Sequence, residues 1–198
     1  MKSIYILFFL SLIIFISCKD NPSKQGDRLF ANDKFEQAIQ SYTEHLDLKP
    51  THIKSLYNRG RAYQEIGKPE EAVEDFLKII DIDPDHLRAY LSLGELYLRE
   101  KDYKDAAFYF DKAVQADEAN PNAIYLRGRA QHRLGNTNKA MEDYNKAIQL
   151  DKSFPSAYLY RGALKIHLGR TTSGCSDFKI AKSLGLDQAD TMLDQYCN

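Results

Sequence analysis

Residues 121–154 read PNAIYLRGRAQHRLGNTNKAMEDYNKAIQLDKSF, with Gly128 at the eighth place, Ala140 at the twentieth and Tyr144 at the twenty-fourth. Stepping 34 residues at a time from Gly128 lands on Gly26, Gly60, Gly94 and Gly162, without one insertion or deletion. The same step from Ala140 gives Ala38, Ala72, Ala106 and Gly174, and from Tyr144 gives Tyr42, Phe76, Phe110 and Phe178. Glycine inside a helix costs about 1 kcal/mol relative to alanine, so five in register need a reason. Close approach of neighbouring helices supplies it. The glycines are read as packing sites, with two small residues and one aromatic per unit.

With Pro50 and Pro84 at place 32, this pattern resembles the tetratricopeptide repeat along residues 19–188. The resemblance implies an all-α, right-handed superhelical solenoid of five helix-turn-helix units: 19–52, 53–86, 87–120, 121–154 and 155–188. Its tyrosine at place 11 is kept as Tyr63 and Tyr97 but is replaced by Leu29, Gln131 and Lys165; its proline at place 32 becomes Glu118, Lys152 and Leu186. Looser packing is expected in the last two units. Pro22 falls where the first helix should already run, which predicts a short helix starting near Ser23, and no linker is expected after residue 23. Beyond the units, Leu186, Ala189, Met192, Leu193 and Tyr196 have helical spacing, and 186–198 reads as a capping helix over the open end of unit 5.

Residues 1–17 read as an export signal, with Lys2 as its basic start and an apolar run from Ile4 to Ile16 broken only by Ser11. A bilayer span takes roughly 20 apolar residues, so the run suits a cleaved signal. Phe15-Ile16-Ser17-Cys18 resembles the lipobox of bacterial lipoproteins, although the family favours leucine where Phe15 stands. That resemblance implies cleavage before Cys18, its lipidation and a short tether over 18–22. The expected location is the bacterial envelope, anchored by lipid, with the outer membrane favoured and the leaflet open. Loss of Lys2 leaves 26 basic against 28 acidic residues, a net charge of −2, and so slight an imbalance names no partner.

Two cysteines then remain. Cys175 and Cys197 sit 11 residues to either side of Leu186, so a hairpin turning there brings them opposite one another. Either a disulfide or two free thiols fits; the compartment outside the cytoplasm favours the disulfide.

Arginine precedes the glycine in three units (Arg59, Arg127, Arg161), and the same three carry aspartate at place 23 (Asp75, Asp143, Asp177). With the hairpin turn near place 15 these groups face each other, which predicts structural ion pairs rather than a catalytic row. No glycine-rich phosphate loop, His-Glu-x-x-His or Cys-x-x-Cys occurs, and the five histidines lack zinc-ligand spacing. No cofactor, metal or catalytic residue is expected. His52 and His86 share one loop place and read as solvated turn residues, while His132 and His167 lie near a possible binding face.

In this family the first helix of each unit lines a concave groove, where places 2, 5, 9, 12 and 13 share a helical face. Units 2 to 4 put Lys54, Arg61, Arg88, Arg99, Arg129 and Arg133 there, against Glu65 and Glu95, with Tyr57 and Tyr125 at place 5. Tyrosine and arginine are enriched at interface hot spots, and arginine forks grip carboxylates in pairs. A protein or peptide partner bearing carboxylates is the expectation; a solvated groove interior is the plain alternative. Chaperone-binding relatives use lysine and asparagine at places 5 and 9 of unit 1, where this chain has Ser23 and Asp27, so their activity is not implied. Nucleic acid is excluded by export. Two other readings remain open: an enzyme or enzyme subunit binding cell-wall glycan in the groove, and a stiffening element in a membrane assembly. The lack of paired groove carboxylates disfavours glycan hydrolysis.

Overall fold

The computed structural model describes residues 21–197, so the signal sequence and Cys18 lie outside the described residues. Eleven helices follow one another, and no strand occurs among the described residues. Five antiparallel pairs are formed by α1 (Pro22–Phe30) with α2 (Phe35–Leu48), α3 (Ile53–Glu65) with α4 (Pro69–Ile82), α5 (Leu87–Arg99) with α6 (Tyr103–Ala116), α7 (Pro121–Arg133) with α8 (Thr137–Leu150), and α9 (Pro155–His167) with α10 (Thr171–Ser183). A last helix, α11 (Gln188–Tyr196), packs on α10. Each pair also packs on the next, giving the helical solenoid that the 34-residue period predicts.

Local sequence sets the helix ends. Pro22, Pro69, Pro121 and Pro155 each open a helix, where the missing N–H would have no partner anyway. Asn120 caps α7 by accepting the amide of Ala123 at 3.0 Å. His52 and His86 do the same for α3 and α5: their Nδ1 atoms accept the amides of Ser55 at 3.2 Å and Ala89 at 3.1 Å. These two histidines are therefore helix caps, not free turn residues. The connection within each pair turns through the left-handed region at place 15, occupied by Gly67, Gly135 and Gly169, but by Asp33 in unit 1 and Lys101 in unit 3.

The glycines of the period have one packing partner. A Cβ built on Gly60 would stand 2.8 Å from a ring carbon of Phe76, on Gly94 2.5 Å from Phe110, and on Gly162 2.7 Å from Phe178. Each ring is fully buried, and burial of one such side chain stabilises by roughly 1.5–3 kcal/mol. The aromatic of the second helix thus packs against the bare backbone of the first, which explains why glycine and aromatic recur together.

The expected ion pairs form between the two helices of a unit. Arg59 holds Asp75 through two bonds of 2.9 and 2.7 Å, Arg127 holds Asp143 at 3.1 and 2.7 Å, and Arg161 holds Asp177 at 2.8 and 2.7 Å. The remaining Nη1 of each arginine reaches the preceding unit, donating to Thr43 (3.0 Å), Asp111 (2.8 Å) and Asn145 (2.8 Å) respectively. One guanidinium therefore ties three helices. Burial pushes the carboxyls of Asp75 and Asp143 above the ordinary range, and the arginine at each pulls it back. Unit 3 replaces the pair with Leu93 and a stacked Tyr97–Tyr109 pair, rings 5.3 Å apart. Cys175 and Cys197 form a disulfide, their Cα atoms 5.7 Å apart.

Candidate functional site

On the groove side, the first helices bring the basic residues together unequally. At the N-terminal end, Asp27 of α1 accepts from Lys54 Nζ at 2.6 Å, Asn58 Nδ2 at 2.9 Å and Tyr42 Oη at 2.9 Å. Burial alone would raise the Asp27 carboxyl; the donors from Lys54, Tyr42 and Asn58 outweigh it and hold the group below the ordinary carboxylate range. Lys54 is therefore engaged by a carboxylate of its own chain. A groove face drawn over units 2 to 4 does not show this partner, since Asp27 belongs to unit 1 at place 9.

In the middle of the groove the arginines lie on aromatic faces. Arg61 covers Phe30 with its guanidinium carbon 4.9 Å from the ring centre, and Arg88 covers Tyr57 at 4.2 Å. Tyr57 is half-buried and also touches Phe76 and His86, so little of its ring is open. Tyr125 is a clearer correction. It is 6% exposed and packs on Tyr144, Phe154 and Tyr160, and burial pushes its phenol well above the usual range. Its ring belongs to the core, because place 5 of unit 4 meets the bulky Phe154, last residue of unit 4, and Tyr160 in the first helix of unit 5.

Over units 3 to 5 the remaining bases converge. Arg99, Lys101, Arg129 and Arg133, with Tyr103 and Tyr160, line a cleft of about 260 Å³, whose wall also includes Leu98 and His132 and contains no carboxylate. Arg133 lies over Tyr103, 4.9 Å from its centre, and donates to its hydroxyl at 2.6 Å. Arg129 lies 4.8 Å over Tyr160, so its face is stacked while its N–H edges remain at the cleft. Glu95 is an acid that acts on this group. Its position within the concave wall raises its carboxyl, and Arg129 and Arg99 lower it again, although its surface stays in contact with solvent.

His132 is half-buried beside the cleft, its ring 6.4 Å from that of His167 and its Nδ1 3.5 Å from the Tyr144 hydroxyl. Burial, with the nearby His167 and Arg133, holds its imidazole below the ordinary value. No group of three or more His, Cys, Asp or Glu suited to a metal ion occurs among the described residues. Among the same residues no helix is long and apolar enough to cross a membrane.

A stack of helical pairs with a charged groove face defines a repeat scaffold. The chain belongs to the tetratricopeptide repeat family: models described as tetratricopeptide repeat, TPR repeat and anaphase-promoting complex, cyclosome, subunit 3 match residues 57–121, 26–67 and 99–174. Solved structures agree. A structure of MamA is 26% identical with a TM-score of 0.74, covering 83% of this chain and 96% of that one. TTC0263, a thermophilic TPR protein of Thermus thermophilus, is 20% identical, TM-score 0.66, covering 88% and 95%. YrrB, whose structure is described as a TPR protein with an unusual peptide-binding site, is 17% identical, TM-score 0.72, covering 88% and 90%. No curated protein matches the chain.

Proposed function

We propose that this protein is a lipid-anchored interaction module of the bacterial cell envelope, which holds a protein or peptide partner in its concave groove through the partner's carboxylates. The tetratricopeptide fold is a protein-interaction module, and scaffolds of this kind act through surface residues rather than through a reaction centre. The observation that carries the reading is the cationic cleft over units 3 to 5, where Arg99, Lys101, Arg129 and Arg133 meet without a carboxylate in the lining. Such clustering is unfavourable for the free chain and becomes favourable when an anionic partner arrives. The peptide-binding site named for YrrB supports the same use of this fold. Anchoring rests on Lys2, the apolar run Ile4–Ile16 and Ser17-Cys18; two or more acyl chains on Cys18 would hold the solenoid stably at a membrane.

The test is crosslinked co-purification from native membranes, comparing the wild type with a variant in which Arg61, Arg129 and Arg133 are all changed to serine. A partner captured by the wild type and lost from the variant, with thermal stability unchanged, is the expected result. A partner retained by both proteins would move the interface to the convex face or the cap and end the groove reading.

A further inference from the structure

We infer that the groove is polarised: its N-terminal end is filled by the chain's own Asp27 carboxylate, and the cleft of Arg99, Lys101, Arg129 and Arg133 is the seat for a single carboxylate supplied by the partner. This deepens the reading above and rests on it. The Asp27 cluster shows how the groove treats an acid. A carboxylate at place 9 of one unit is gripped by side chains at places 2 and 6 of the next, Lys54 at 2.6 Å and Asn58 at 2.9 Å. At place 9 of unit 4 the acid is replaced by a base, Arg129, and bases at place 13 of units 3 and 4, Arg99 and Arg133, surround the same cleft. No carboxylate lines this cleft as Asp27 lines the other end; Glu95, at place 9 of unit 3, acts on Arg129 and Arg99 from outside the lining.

The backbone adds an independent observation. Place 15 is glycine in units 2, 4 and 5, while unit 1 has Asp33 there with φ 56° and unit 3 has Lys101 with φ 64°. A residue with a side chain in the left-handed region costs roughly 1–2 kcal/mol. Of the two non-glycine residues at place 15, Lys101 is the one whose side chain lines the cleft, a position consistent with the tendency of strained backbone to collect at binding sites. Arg129, held flat on Tyr160, and Arg133, held on Tyr103, are oriented before anything binds, so little side-chain order remains to be lost.

The experiment is NMR titration of the isotopically labelled full chain in detergent with four small probes: N-acetylglutamate N-methylamide for an acidic side chain, N-acetylglycine for a chain terminus, N-acetylglutamine N-methylamide as neutral control, and inorganic phosphate. The expected result is saturable shifts of the Arg99, Arg129 and Arg133 side-chain N–H signals and of the Lys101 amide with both acids, and none with the neutral probe. The tighter of the two acids names the source of the carboxylate. Arg129→Ser should weaken binding about tenfold, as loss of one charge-assisted hydrogen bond does. Lys101→Gly should melt at or above the wild-type temperature yet bind the acids several-fold more weakly, separating site from fold. Shifts spread evenly over exposed lysines such as Lys34 and Lys139, shifts centred on Lys54, or phosphate binding tenfold tighter than either acid would each overturn the inference. A partner that co-purifies through the groove while the cleft ignores both acids would sink this inference and leave the groove reading standing.

Discussion

Gly94→Ala decides whether the glycine period is a packing requirement. On an open helix this change stabilises by about 1 kcal/mol, since alanine is the better helix former. At Gly94 the new Cβ would lie 2.5, 2.6 and 2.9 Å from three carbons of the Phe110 ring, whereas carbon atoms pack best at about 3.5–4.0 Å. The ring is fully buried and has nowhere to retreat. Overpacking of this kind costs about 1–3 kcal/mol, and an overlap near 1 Å at three atoms belongs at the upper end. Subtracting the propensity gain leaves a net loss of about 1–2 kcal/mol. At about 2–4 °C per kcal/mol for a chain of this size, melting followed by circular dichroism should fall by about 2–8 °C. Phe110→Leu alone should also destabilise, but in the double variant the new methyl occupies vacated space, so the pair should lose less than the sum by about 1 kcal/mol. A Gly94→Ala protein that melts at or above the parent would refute the packing argument.

Arg127→Ala removes a guanidinium that ties α7 to α8 and α6 and leaves Asp143, side chain 9% exposed, without its partner. A loss of about 3 kcal/mol is expected in chemical denaturation, partly restored by adding Asp143→Ala, with partner capture unchanged. Partner loss without loss of stability would contradict the structural role. Stability should also fall in mild acid. Burial holds the His45 imidazole below its ordinary value of 6.5, and its Nε2 has no hydrogen-bond partner. The unfolded chain therefore takes up the proton first, so this contribution is complete above pH 6.5 and is lost as pH falls through the depressed folded value. His45→Phe should flatten the dependence of melting temperature on pH between 8 and about 5; an unaltered slope would show that other groups govern it.

The helix pairs were legible because each 34-residue unit repeats one packing solution, and Gly60–Phe76 or Gly94–Phe110 stands in the sequence as a fixed interval. The ion pairs were legible for the same reason: arginine at place 7 and aspartate at place 23 occur together in units 2, 4 and 5 and are both missing from units 1 and 3. Their third member was not seen, although a signal existed. Place 25 holds Thr43, Asp111 and Asn145 in the units that precede an arginine, and Leu77 before Leu93. Gly174 looked like a lapse from alanine, but a Cβ there would stand 2.9 Å from the carbonyl oxygen of Gly162, a closeness no pattern of side chains reveals. The groove was harder. Which bases are engaged depends on contacts between successive units, such as Asp27 with Lys54, and a helical face drawn for each unit alone cannot display them. The burial of Tyr125 escaped in part for the same reason, because its neighbour Tyr160 comes from the following unit and Phe154 from the junction leading into it.

The last described helix, α11, covers the outer face of α10. A sixth unit of this kind would dock its first helix against α10, and α11 occupies that surface, laying Ala189 fully buried there and tied down through Cys175 and Cys197. A second molecule seeking to dock on α10 itself would have to displace a helix that a covalent bond holds to it. Growth into filaments, the natural hazard of any shape built by repeated translation, is therefore closed at this end of the protein by chemistry rather than by weak contacts.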